Sequence, residues 1–426
     1  MIEILPKRTA GFFYSTNERV ENMQKENTKD GIQPANRLSE VSEYYFAKKL
    51  KEVADMNAAG KNVINLGVGS PDLPPSDEAI EVFCREIRKD NMHGYQPYTG
   101  IPALRERFAD WYRTWYEVQL DPQTEIQPLI GSKEGVLHVS MAFLNPGDGV
   151  LAPNPGYPTY HSVSKLVGAN LIAYELKESN HWYPDFEALE QMDLSKVKLM
   201  WTNYPHMPTG ANASMQLFEQ LVAFGRRHGI VICHDNPYSF ILNDNPLSIL
   251  SVPGAKDICI ELNSMSKAHN MPGWRMAMLA SNEHFIRWIL KVKTNIDSGQ
   301  FKPMQLAAVE ALKAPKSWYE GMNRVYRSRR DLAGRIMHTL GCRFDENQVG
   351  MFLWGRIPDT ELSGEALADK VLYGAHVFIT PGSVFGSAGN RYVRISLCSN
   401  NELLSEAIRR VRGTGCEVQG SGFKNP

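Results

Sequence analysis

Apolar and polar positions run along the chain in two rhythms. Short unbroken apolar runs, IQPLI, GVLAP, VKLMWT, GIVIC and ICIEL, have the length and content of strands buried on both faces. Around them, near 76–90, 101–116, 132–144 and 213–228, apolar residues recur at helical spacing. From Leu38, SEVSEYYFAKKLKEVADMNAAG also reads as a helix, stopped by Gly60 and followed by a short strand, NVINLGVG. Strand alternating with helix predicts an α/β large domain over 75–313, with a mostly parallel sheet flanked by helices. After about residue 313 the rhythm changes to a long polar helix, MFLWGR, a helix near 364–372, the strands HVFIT and YVRISL, and a last helix from 402. That order predicts a smaller α+β domain made of residues 34–74 and 314–426. Residues 1–33 are polar and unpatterned, which predicts a flexible extension, with Met23 as an alternative start.

Composition narrows the function classes. A chain of 426 residues with 43% hydrophobic and 22% charged residues is long enough for two cored domains. The formal charge of −1 supplies no field to gather nucleic acid, so small molecules are the expected partners. Cys84, Cys233, Cys259, Cys342, Cys398 and Cys416 form no CxxC pair and no cluster with histidine, which predicts neither a metal site nor disulfides. Cysteines inside runs such as IVIC and ICI read as buried reduced thiols, suited to the cytoplasm. With no apolar stretch of about eighteen residues and no apolar signal segment, neither a membrane nor a secretory destination is expected.

The candidate chemistry sits where strands end. ICIEL leads into Ser264-Met265-Ser266-Lys267, and Arg275 follows eight residues beyond the lysine. A lysine delivered to the carboxyl edge of a parallel sheet stands where ligands of such sheets bind, and hydroxyls beside a guanidinium suit a phosphate. GIVICHD ends at Asp235, with Tyr238 just beyond; a carboxylate there either caps a turn or faces a cationic ring nitrogen. VKLMWT runs out at Asn203, and IQPLI passes into Gly131-Ser132-Lys133 and a helix, whose free amides and positive end favour phosphate.

These segments carry a resemblance. NLGVGSPD, YQPYTGIPALRE, GSKEG, PNPGYP, MPTG, DNPY, SMSKAHNMPGWR and YVRISL stand in the order and spacing of class I/II aminotransferases, the fold type I pyridoxal-phosphate enzymes, over nearly all the chain from about residue 36. The resemblance implies pyridoxal 5′-phosphate as cofactor and ping-pong transfer of an amino group from an amino acid to a 2-oxo acid. It makes Lys267 the Schiff-base lysine, pairs Asp235 with the pyridine nitrogen and lets Tyr238 donate to the ring oxygen. Ser132, Lys133, Ser264, Ser266 and Arg275 would surround the phosphate, and Tyr157 would stack on the ring. Tyr95 would reach the phosphate of a neighbouring subunit, implying a homodimer with shared sites. Arg394 would bind the substrate carboxylate beneath the Gly69 loop; an arginine buried on a strand otherwise needs a structural anionic partner.

One position departs from the family. Met207 stands where its asparagine donates to the ring oxygen, and methionine cannot donate that bond. Tyr238 would carry the contact alone, or Asn203 or His206 would substitute. The departure leaves room for β-elimination, as performed by carbon–sulfur lyases of this fold. A non-catalytic sensor on the same fold is disfavoured by the joint presence of Lys267, Asp235 and Tyr238, with no helix-turn-helix ahead of the domain. Lys291, Lys293 and Lys302 fall in a segment that the family places near the substrate side chain, but such charges ordinarily form a solvated face. The donor amino acid is left open, with diaminopimelate among several.

Overall fold

A seven-stranded sheet, buried except at its marginal strand Asn170–Glu175, organises the chain in the computed structural model, which describes residues 32–39, 41 and 45–413. The flexible extension and the alternative start at Met23 fall, through residue 31, outside the described residues. The chain divides into units 1–42 and 43–426, and the described part of the first holds a 3-10 turn, Asn36–Leu38. The helix expected from Leu38 is described as α1 (Tyr45–Ala58).

The strands are β1 (Ile64–Asn65), β2 (Ile126–Leu129), β3 (Gly149–Asn154), β4 (Asn170–Glu175), β5 (Val197–Thr202), β6 (Val231–Asp235), β7 (Cys259–Ser264) and β8 (Ala277–Ala280). Then come β9 (Phe352–Arg356), β10 (Val377–Phe378), β11 (Thr380–Pro381) and β12 (Tyr392–Ser396). The large sheet has the order β2-β8-β7-β6-β5-β3-β4 and is parallel from β7 to β4; only β8 runs antiparallel to its neighbours. A three-stranded sheet joins β11, β12 and β9 in antiparallel fashion, and β1 pairs with β10.

Alternation of side chains along the strands divides the core in two. Met200, Ile232 and Cys259 point into one apolar cluster, while Leu199, Trp201, Cys233, Ile260 and Leu262 point into another on the opposite face. The second cluster is closed by α2 (Ser132–Phe143) and, further along the chain, the helix Glu283–Lys293, through Val136, Val139, Ile286 and Ile289. Each such side chain contributes about 1.5–3 kcal/mol when fully buried, so both faces must be covered and the sheet stays interior. The carboxyl ends of β5, β6 and β7 stay open enough to line a cavity, through Asn203, Asp235 and Ser264.

Two further helices position the site. α3 (Pro158–Leu166) begins on a proline directly after Tyr157, a first-turn position where proline costs no hydrogen bond. α4 (Met265–Ala268) is a single turn after β7, started by Ser264, whose hydroxyl accepts from Ser266 N at 3.2 Å. The helix Glu283–Lys293, α5, lies beside α2 and is capped by Asn282, which accepts from Phe285 N at 3.0 Å.

Candidate active site

At the carboxyl edge of β5, β6 and β7 opens a cavity of about 510 Å³, and most of the residues singled out from the sequence line it. Ser132, Lys133, Tyr157, Asn203, Asp235, Tyr238, Ser264, Ser266, Lys267, Arg275, Arg394 and Gly69 all border this space. Tyr95 does not: it is 94% exposed and outside the lining.

Lys267 enters from α4, and its Nζ donates to Gly69 O at 2.6 Å. Burial pushes its ammonium below the ordinary lysine value, and the nearby Arg394 and Arg275 charges push the same way. Gly69 is sterically required, because a Cβ there would lie 2.3 Å from Phe352 Cζ.

Two neighbouring buried carboxylates make an instructive contrast. Glu261, in β7, is satisfied by Tyr112 Oη, Ser248 Oγ and His234 Nδ1 at 2.8 Å each and by Ile249 N at 3.0 Å. Asp235 has one hydroxyl partner, Tyr160 Oη, which donates to Oδ2 at 3.0 Å, while the buried Oδ1 has none. Burial lifts the Asp235 carboxyl to about 6, against the pull of the Tyr160 bond. An unpaired carboxylate oxygen at the wall of a cavity calls for a donor from a ligand, and a protonated ring nitrogen has the right charge and the right hydrogen.

The opposite end is shaped for an anion. Gly131 turns with φ +92°, and a Cβ there would meet Arg275 Nη2 at 2.0 Å, so only glycine lets the guanidinium lie against the turn. Arg275 donates to Pro272 O at 2.8 Å and Ile130 O at 3.3 Å. Ser132, first residue of α2, has its Oγ buried without a partner, and burial with the Arg275 charge lowers the Lys133 ammonium. An unsatisfied hydroxyl, a helix start and two cations fit a phosphate group.

The third wall holds Arg394, on β12. Its Nη2 donates to Gly67 O at 2.7 Å and its Nη1 points at Met207 Sδ at 3.3 Å. The guanidinium lies 3.9 Å from the Phe352 ring centre and 4.5 Å from that of Phe385. Its neighbours thus include two rings, a thioether and a backbone carbonyl.

Of the groups offered as substitutes at the Met207 position, Asn203 is committed elsewhere. Its Nδ2 donates to Asp235 O at 2.5 Å, and its Oδ1 accepts from Met207 N at 2.8 Å. His206 is buried against Thr209 Oγ1 at 2.8 Å and does not line the cavity. Lys293 corrects the expectation of a solvated face: it is 1% exposed and ion-paired with Glu134 and Asp297, because its helix packs that side inward. Neither Lys291 nor Lys302 lines the cavity. The sequence reading missed Tyr160, whose spacing of three from Tyr157 on α3 was the available signal, and the apolar wall of Phe46, Leu50, Phe352 and Phe385.

Comparison with known proteins shows the family. The pattern of the family described as aminotransferase class I and II matches residues 61–411. An LL-diaminopimelate aminotransferase of Oleidesulfovibrio alaskensis is 39% identical over 380 residues, covering 88% of this chain and 98% of its own. Another, from Desulforudis audaxviator, is 40% identical over 381 residues, covering 89% and 97%. Among solved structures, apo-BacF of Bacillus subtilis superposes with a TM-score of 0.86 at 36% identity, covering 90% of this chain and 98% of that one. The chain belongs to the class I and II aminotransferases and is an amino-acid aminotransferase.

Proposed function

We propose that the chain works with pyridoxal 5′-phosphate, the cofactor of its family, held across the cavity between Asp235 and the Gly131 turn. The observation that carries this reading is the pair formed by a buried carboxylate with a partnerless oxygen and a buried lysine with a depressed ammonium, both lining one space. Ser132, Lys133, Ser264, Ser266 and Arg275 would hold the phosphate, Tyr157 would pack on the ring, and Tyr238 would donate to the ring oxygen without help from position 207. When bound, the cofactor supplies an electron sink for the pair left as the substrate Cα loses its proton.

The protein's own groups do the rest. Arg394 offers a two-pronged donor to the substrate carboxylate and so orients the Cα–H bond. Lys267 Nζ, whose protonated form burial disfavours, would take the proton from Cα and return it at a different atom. Asp235 Oδ1, buried without a partner, would accept from a protonated ring nitrogen and hold that proton in place. Phe46, Leu50, Phe352 and Phe385 limit water in the reacting space.

The same reading includes a homodimer in which the exposed Tyr95 reaches a neighbouring subunit's phosphate, and a cytoplasmic setting that suits the buried free thiols. It also includes a large lobe over 75–313 and a small one from 34–74 and 314–426, supported by sheets built from separate stretches of chain. Two curated relatives are named for LL-diaminopimelate, which makes that amino acid the first donor to try. The test is a visible spectrum of cofactor-loaded protein as single amino acids are added without an oxo acid. Loss of the visible band with one donor, restored by 2-oxoglutarate, supports the proposal. Release of pyruvate and ammonia without an acceptor identifies elimination instead.

A further inference from the structure

Behind the Gly131 turn, on the side away from the cavity, lies a buried set of charges that the reaction does not use. Glu134 occupies the third position of α2 and reaches back so that one carboxylate oxygen accepts from Ile130 N. Its other oxygen is 2.5 Å from His138 Nε2 and 3.0 Å from Lys293 Nζ. Lys293, the last residue of α5, also donates to Asp297 Oδ1 at 2.7 Å, and Asp297 Oδ2 lies 3.3 Å from His138 Nε2. His138 and Lys293 are essentially inaccessible to water. Burial by itself would raise the Glu134 carboxyl; hydrogen bonds led by His138, with the Lys293 charge, hold it down at about 2. Glu134, His138 and Asp297 offer ligand atoms within 4.8 Å of one another, but the ammonium bonded to both carboxylates already takes a cation's place.

The position of this set gives it meaning. A carboxylate in the first turn of a helix interacts well with the helix end, yet here the same helix end is the one that faces an anion. Left unpaired, Glu134 would repel a phosphate across the turn, and its grip on Ile130 N would lose direction. We infer that Lys293 is a positioning residue for the phosphate-binding turn: its ammonium offsets the Glu134 charge, its bond to Asp297 and the His138 contact hold that pair in place, and Glu134 in turn fixes the backbone that carries Ser132 and Lys133. The inference rests on the proposal that this turn holds the cofactor phosphate.

The test is an absorbance titration of cofactor-free protein with pyridoxal 5′-phosphate and, separately, with pyridoxal, which has the ring and aldehyde but no phosphate. Lys293→Met weakens pyridoxal 5′-phosphate about tenfold, the scale on which outer partners act on a site, and leaves pyridoxal unchanged. Lys293→Met combined with Glu134→Gln regains most of the loss, because the uncompensated charge has gone, and Lys293→Arg stays near wild type. Equal weakening of both ligands, or of neither, by Lys293→Met overturns the inference. Should Lys293→Met fail to fold, Glu134→Gln alone decides: undiminished phosphate-dependent binding supports the charge argument, and a selective loss refutes it. Wild-type protein that binds the two ligands equally well removes the phosphate assignment itself, an outcome visible before any variant is compared.

Discussion

Tyr160→Phe isolates the one hydrogen bond that keeps Asp235 charged. The carboxyl is lifted from 3.8 to about 6 in the folded protein, a preference for the neutral form of about 3 kcal/mol. Removing a hydroxyl that donates to a buried carboxylate costs about 1.5–3 kcal/mol more, which carries the midpoint to about 7–8. The sign follows from proton binding. Because the folded protein holds this proton more tightly than the unfolded chain, the cofactor-free protein loses stability from this group as pH rises from about 4 to 6. In Tyr160→Phe the falling window extends to about 7–8. The assay is the melting temperature of cofactor-free wild type, Tyr160→Phe and Asp235→Asn from acid to mildly alkaline pH, with Asp235→Asn supplying the baseline from which this titration is absent. The difference between Tyr160→Phe and that baseline should grow between about pH 6 and 8, where wild type has levelled off. If the wild-type and Tyr160→Phe curves stay parallel across that range, the Tyr160 bond does not control the Asp235 charge.

Lys267→Ala abolishes the visible band and turnover, while the melting temperature of the cofactor-free protein does not fall, since a desolvated ammonium is removed; a large drop in that temperature would contradict the burial argument. Arg394→Lys replaces a fork with a point charge, so KM for the amino acid should rise about tenfold to a hundredfold, with kcat less affected, in steady-state kinetics. Met207→Asn adds a donor beside the ring oxygen and should lower the pH midpoint of the visible band, read by absorbance titration. Gly69→Ala drives a methyl into Phe352 and should cost about 1–3 kcal/mol in denaturant unfolding of the cofactor-free protein.

Much of the site could be read before any coordinates, for one physical reason. In a parallel sheet every strand ends at the same edge, so Asn203, Asp235 and Ser264, each found at the close of an apolar run, had to converge. What escaped reading lacked such a rule. β4 is half exposed and lies at the sheet margin, so its apolar signal is weak. β8 is AMLA, four residues rich in alanine and methionine rather than β-branched types, and strand direction leaves no mark on composition. The ring wall around Arg394 joins Phe46, Phe352 and Phe385 from distant stretches of chain. Lys293 resembled surface charge because the spacing of four to Asp297 is common on exposed helices, whereas the carboxylate that draws it inward lies 159 residues away. The Met207 departure was legible as a missing donor, but its contact with Arg394 was not, since thioethers have no fixed partner.

The reversed strand β8 has a bearing on how this protein tolerates change in length. Ser264 pairs with Ala277, so the twelve intervening residues, Met265–Met276, leave the sheet edge and return to it without crossing to the far side. Both Lys267 and Arg275 sit on this one short excursion. A residue inserted or deleted between the two would change their spacing, while the paired ends Ser264 and Ala277 stay fixed in the sheet. Directed variation of loop length should therefore find this arch among the least forgiving in the chain, and grafting it as a unit should transplant the lysine and the arginine in register.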